Sequence, residues 1–347
     1  MSNSVLIEVL RGNCVESLHT GAIAVTDSQG HVFASLGDIE RPVFPRSAVK
    51  VLQALPLITS GAADRLHLSD AELALACASH NGEPEHVQTA MSMLSKAGLD
   101  AQALECGTQW PAREPVLRAM VERGEQASAL HNNCSGKHAG FICLACEMAM
   151  HEQAEPKSFA RGYVEPQHPV MREVTAALSA CTDTDLSQVP RGTDGCSIPT
   201  FAIPLRHLAL AFARIGTGDG LSPERARAAK RLRRAVAQAP FMVGGSQRFD
   251  TQVMDQLGER VFCKIGAEGV YCASFPERGL GLALKIDDGQ ARAAEAVMAS
   301  VIAALLTCDD ATMALLQTLS QPALSNWNQR IVGSLRPSAA LRTLPLR

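Results

Sequence analysis

The sequence predicts an α+β protein in which strands from both chain ends form one antiparallel sheet beside a helical lobe. Two observations predict it. Short apolar runs bounded by turn residues lie near the two ends, and helical periodicity runs almost unbroken between them. Neither set of strands can cover its apolar face alone, so the two sets are expected to share a sheet with the helical middle as a lobe beside it. No repeat, low-complexity tract or long linker divides the chain. A single two-lobed domain over 1–347 is therefore expected, with a sheet lobe at about 1–45 and 250–310 and a helical lobe at about 46–249.

The elements follow in order. Residues 5–10 read as a strand, and 22–26 with 32–36 flank the turn Asp27-Ser28-Gln29-Gly30 as a hairpin. A helix over 46–55 is opened by Pro45. Further helical segments cover 70–78, 84–97, 115–123, 138–150, 168–180, 202–214 and 223–238, and Ser69 with Glu72 forms a capping box for the first of these. Strands over 260–265, 270–275 and 280–286 are separated by Gly266-Ala267-Glu268-Gly269 and Pro276-Glu277-Arg278-Gly279, the pattern of a meander. A last helix covers 290–306. The stretch 311–347 carries arginines but no Asp or Glu, and is expected to be a packed tail or a subunit contact.

Composition narrows the function. With 347 residues, 46% of them hydrophobic, the chain can bury a large core without disulfides or a structural metal. A net charge of -3 gives no overall attraction to nucleic acid or anionic membranes, which leaves small-molecule chemistry. The arginine-rich face of the 223–238 helix reads as a solvated surface. Eleven cysteines scattered through a long chain with no signal sequence suggest the reducing cytoplasm. The most apolar late stretch, 296–308, is too short to span a bilayer.

Ser47-Ala48-Val49-Lys50 is a Ser-x-x-Lys just after the amino-terminal hairpin. Three residues along a helix place hydroxyl and amine on one face, so Lys50 can take the Ser47 proton as the oxygen attacks a carbonyl. The neighbours Val49, Val51, Leu52, Ala54 and Leu55 make this helix apolar nearly all round, and burial favours the neutral amine a base requires. Ser79-His80-Asn81 ends a second apolar helix. Lys264-Ile265-Gly266 ends the first strand of the meander, where the glycine is expected to let a substrate approach the backbone. Each has a plainer reading, Ser79 as a helix terminus and Lys264 as an edge lysine that deters aggregation.

The loops His131-Asn132-Asn133-Cys134-Ser135-Gly136-Lys137-His138 and Thr193-Asp194-Gly195-Cys196 supply two thiols that could meet at a metal. On chemistry alone Cys134, His138 and Cys196 are the ligand set, with structural cysteines as the alternative. Cys143, Cys146, Cys263 and Cys272 read as small core residues.

Together, Ser-x-x-Lys, Ser-x-Asn and Lys-x-Gly resemble, in the same chain order, the motif set of the penicillin-binding proteins and serine β-lactamases, which implies their fold. Ile265 departs from that set. The combination of residues 45–50, 78–83, 132–138, 193–196 and 263–269 resembles the Rhizobium-type L-asparaginases over nearly the whole chain. That resemblance implies two serine–lysine pairs, Ser47 with Lys50 and Ser79 with Lys264. It also implies a zinc ion held by Cys134, Lys137 and Cys196, with His138 and Asp194 orienting a ligand or water, and a homodimer. L-asparagine is then the expected substrate. Arg46, beside Ser47, is a candidate for the substrate carboxylate. A glutaminase, another serine amidohydrolase of β-lactamase type, a zinc-dependent hydrolase and a non-enzymatic sensor or metal-binding protein are the competing readings.

Overall fold

The computed structural model describes residues 3–346. The protein is α+β, as expected. Its chain forms two compact units, one of residues 1–48, 202–220 and 263–347, the other of residues 49–201 and 221–262.

The first unit is built on an antiparallel eight-stranded sheet. Its strands are β1 (Ser4–Arg11), β2 (Cys14–Asp27), β3 (Val32–Leu36), β4 (Phe262–Ile265), β5 (Val270–Phe275), β6 (Leu280–Ile286), β7 (Ala323–Ser325) and β8 (Ile331–Pro337). The order is β7-β8-β1-β2-β6-β5-β4, with β3 also paired to β2. The two chain ends thus meet at two seams, where β6 pairs with β2 (Ala283 opposite Ala24) and β8 pairs with β1 (Val9 opposite Leu335). Strand β5 is buried at every residue, so both faces of the sheet are covered there. The helix Leu205–Thr217 packs on β2, β5 and β6, and the helix Ala291–Leu305 on β1, β5, β6 and β8.

Three expectations change in this unit. The segment expected as a helix of the other lobe at 202–214 belongs here, because Gly281 lets the helix backbone at Ala209 and Ala213 press directly on β6. Periodicity cannot reveal such a contact. The helix near 290–306 is not the last element. A further helix, Asp310–Ser320, packs on it, and β7 and β8 extend the sheet, so the acid-free tail is a packed one; Arg347 lies outside the described residues. Strand β2 is longer than expected because its outer half is solvent-exposed and carries no apolar face to betray it.

The second unit is helical. Its centre is the helix Ser135–His151, buried at nearly every position, with the helices Asp70–Ala76 and Pro84–Lys96 packed against it. The capping box Ser69–Glu72 is present at the start of Asp70–Ala76. The expected helix over 46–55 is broken into a 3-10 turn, Arg46–Val49, and short helices Lys50–Gln53 and Leu55–Thr59. Pro56, with no N–H to donate to Leu52, forces the restart. No helix among the described residues is long and apolar enough to cross a membrane.

Candidate active site

The first unit positions Ser47. Arg46 adopts φ 51°, a left-handed conformation that costs a non-glycine residue about 1 kcal/mol or more. Strain retained at one residue directly before a candidate nucleophile is a pattern of functional sites. Ser47 is half-buried, and the Ala48 N–H closes the turn on the Pro45 carbonyl at 3.1 Å. Gly266 lies against this turn, and a Cβ on it would collide with the Pro45 carbonyl and crowd Ala48 at 3.3 Å. The close approach expected of a substrate at this glycine is made by the chain's own 45–48 segment. The Lys264-Ile265-Gly266 motif therefore braces the turn that carries Ser47. Lys264 is fully buried and donates to the Ile265 carbonyl at 2.9 Å.

The second unit gathers Lys50, Ser79, Cys134, Lys137 and Cys196. Lys50 is 1% exposed. Its amine donates to the Ala78 carbonyl at 2.5 Å, the Ser79 hydroxyl at 2.9 Å and the Cys134 sulfur at 3.1 Å. The hydroxyl of Ser79 is held where it is because the Ser79 N–H is bonded to the Val243 carbonyl at 2.9 Å. The amine seen at Ser79 is thus that of Lys50, the residue whose expected partner is Ser47.

Lys137 follows Cys134 by three residues at the start of the Ser135–His151 helix, and Cys196 sits at the tip of a hairpin formed by Arg191–Thr193 and Pro199–Phe201. The Lys137 amine donates to the Cys196 sulfur at 2.9 Å. The neighbouring Cys196 thiol, helped by Lys50 and Lys137, holds the Cys134 thiol well below its ordinary value against the opposing effect of burial. The same contact, with burial, raises the Cys196 thiol. Burial opposes the charge on Lys137, but the two sulfurs outweigh it and hold the amine above its ordinary value.

The chemistry of this donor set decides whether it suits a metal. Among the described residues no three of His, Cys, Asp or Glu cluster as ligands. Two buried sulfurs, one with its thiol held well below its ordinary value, and an amine in contact with the other nevertheless fit a soft, tetrahedral cation such as zinc once Lys137 gives up its proton.

His138 is fully buried, and its Nδ1 lies 2.6 Å from the Tyr163 hydroxyl, which accepts from the Glu105 N–H at 2.9 Å. Whichever of the two donates, Nε2 is a buried atom with no partner among the described residues. Burial, and then Lys137 and Lys50, hold the imidazole neutral. With Nδ1–H donating to the phenol Nε2 would offer a lone pair, and with the phenol donating Nε2 would carry the proton. Asp194 orders the hairpin tip by accepting from the Gly195 N–H at 2.7 Å, and its charge acts on Lys137. Asn133, within the loop the sequence singles out, places its amide oxygen 3.0 Å from the Cys134 sulfur, whereas Tyr163 carries no signal in the sequence that marks it for the site. An isolated tyrosine has no spacing to betray it. Cys143, Cys146, Cys263 and Cys272 are buried core residues.

The sequence matches the family described as L-asparaginase II over residues 7–337. No curated protein matches it. Among solved structures, a β-lactamase from Mycobacterium bovis is 14% identical over 79% of this chain and 89% of its own, with a TM-score of 0.37. The structure titled Mglu is 15% identical over 79% of this chain, TM-score 0.34, and the present chain spans 64% of its length. Simvastatin synthase from Aspergillus terreus is 13% identical over 77% of this chain and 86% of its own, TM-score 0.34. Likenesses this loose carry no weight for the reaction.

Proposed function

The chain belongs to the L-asparaginase II family, and from that amidohydrolase membership we propose that it hydrolyses L-asparagine to L-aspartate and ammonia through a serine-bound acyl intermediate. The observation that carries the reading is the buried Lys50 amine in hydrogen-bond contact with the Ser79 hydroxyl, at the end of the short run that begins with the strained Arg46.

In this reading Ser47 Oγ attacks the side-chain amide carbon as Lys50 takes its proton. The tetrahedral intermediate collapses with rupture of the C–N bond, and Ser79, bonded to Lys50, passes a proton to the departing nitrogen so that it leaves as ammonia. Water then adds to the ester, and Ser47 leaves with its proton restored. The Ser47 N–H at the head of the turn is our candidate for the oxyanion, and Lys264 keeps the place of second amine that the resemblance gives it.

Cys134, Lys137 and Cys196 would hold zinc, with His138 and Asp194 ordering their surroundings. A bound ion would supply a fixed positive charge for orienting or polarising a substrate. A dimer is carried by the resemblance alone. All eleven cysteines are free thiols, which supports a reducing compartment such as the cytoplasm.

The test is ammonia release from L-asparagine and L-glutamine, with cleavage of a chromogenic cephalosporin alongside, with and without chelator. Faster release from glutamine would make the chain a glutaminase. Loss of all turnover with chelator would move the chemistry to a metal hydrolase. Turnover of none of the three would end the amidohydrolase reading.

A further inference from the structure

Resting on the reading of an α-amino acid amide as substrate, we propose that Arg248 is the residue that recognises its α-carboxylate. Such a substrate presents two coplanar oxygens that a guanidinium matches with paired N–H donors. The segments 79–83 and 243–248 are clasped along their length. The Ser79 N–H donates to the Val243 carbonyl at 2.9 Å, and the Ser246 N–H and hydroxyl donate to the two oxygens of Glu83 at 2.7 Å each. Asn81 Nδ2 donates to the Ser246 carbonyl at 3.2 Å. Gly245 makes this fit possible: its φ is 99°, and a Cβ there would stand 2.5 Å from the Glu83 carboxylate and 2.9 Å from the Asn81 amide.

Arg248 closes the clasp by donating from Nη1 to Asn81 Oδ1 at 3.3 Å, two residues along the chain from Ser79. Because the Asn81 amide nitrogen is committed to Ser246 and Glu83, its oxygen is fixed toward the guanidinium. Three other arginines of this unit have anionic partners: Arg65 pairs with Glu147, Arg113 with Glu83 and Arg231 with Asp64. Arg248 is half-buried, and its side-chain partner among the described residues is a neutral amide. Among the described residues its side chain makes that one hydrogen bond, so most of its five donors remain for a ligand. The clasp thus presents, on the loop of Ser79, the group a carboxylate needs, a task that adjacency to Ser47 alone had suggested for Arg46.

The test compares wild type, Arg248→Met and Arg248→Lys on L-asparagine and on 3-aminopropanamide, which keeps the amide and amine but lacks the carboxylate. Thermal melts confirm folding, and calorimetry reads L-aspartate binding independently of turnover. The expected result is a rise in KM for L-asparagine on the order of a hundredfold in Arg248→Met, with a much smaller change in kcat. The wild-type preference for L-asparagine over 3-aminopropanamide should collapse by a similar factor, and L-aspartate affinity should fall with it. Arg248→Lys should recover part of each. Unchanged preference and L-aspartate affinity in a folded Arg248→Met protein overturn the assignment. If wild type hydrolyses neither asparagine nor glutamine, the reaction reading fails on its own; L-aspartate binding that depends on Arg248 still upholds the carboxylate site, and binding that does not overturns it.

Discussion

The Lys50 amine donates to both the Ser79 hydroxyl and the Cys134 sulfur, so one buried side chain ties the proposed proton relay to the proposed zinc ligands. Lys50→Met should keep the fold, since Met occupies similar volume, while lowering kcat by roughly 10²–10⁴-fold. Buried acceptors left without a donor should cost about 1–3 kcal/mol in chemical unfolding. A variant that turns over normally removes Lys50 from the chemistry, and one that cannot fold makes the residue structural first.

Ser47→Ala should lower turnover by about a thousandfold or more, because only binding and oxyanion contacts remain. A mass-detected acyl adduct with a slow amide or ester substrate should form on wild type and be absent from the variant. Normal turnover in Ser47→Ala excludes the covalent route.

Glu72 gives a pH prediction. Burial alone would raise its carboxyl, but bonds from Lys96 at 2.6 Å, the Ser69 N–H at 2.7 Å and the Ser92 hydroxyl at 2.8 Å outweigh it and hold the group below its ordinary 4.5. A depressed folded value means the stabilisation is complete above 4.5 and disappears as pH falls through that lowered value. Glu72→Gln should therefore lose on the order of 1–2 kcal/mol at neutral pH and approach wild type in acid. A difference that stays constant across the acid range contradicts the linkage.

The α+β class and most helices were legible because period and turn chemistry are local properties. The motifs were legible for the same reason, since Ser47 and Lys50 are three residues apart. What stayed hidden was non-local. The seating of 205–217 on β6 depends on one glycine, Gly281, and the support for His138 depends on Tyr163. The clasp of Glu83 on Ser246 joins residues 163 apart. The break at Pro56 was legible in principle but was masked by the continuous apolar run around it.

Gly266 braces the nucleophile turn, so Gly266→Ala should force the Pro45–Ala48 backbone to shift. A collision with backbone cannot be relieved by a rotamer change, and we expect a loss of about 1–3 kcal/mol together with a fall in kcat. Crystallography of the variant should show Ser47 displaced. A stable, fully active variant would mean that the turn can yield without moving the serine, and that Gly266 is no brace for it.

Zinc separates a positioning metal from a catalytic one. A serine–lysine pair supplies its own nucleophile, so the metal should tune affinity more than the chemical step. Cys134→Ala or Cys196→Ala should lose bound zinc and raise KM for L-asparagine, with measurable kcat at saturating substrate. Elemental analysis beside steady-state kinetics reads both effects. The protonation states add a further constraint. Binding through two thiolates and a neutral amine must expel protons from these donors, so zinc affinity should weaken as pH falls. Full zinc occupancy in a cysteine variant would remove that cysteine, and complete inactivity in a folded, zinc-free variant would assign the chemical step to the metal.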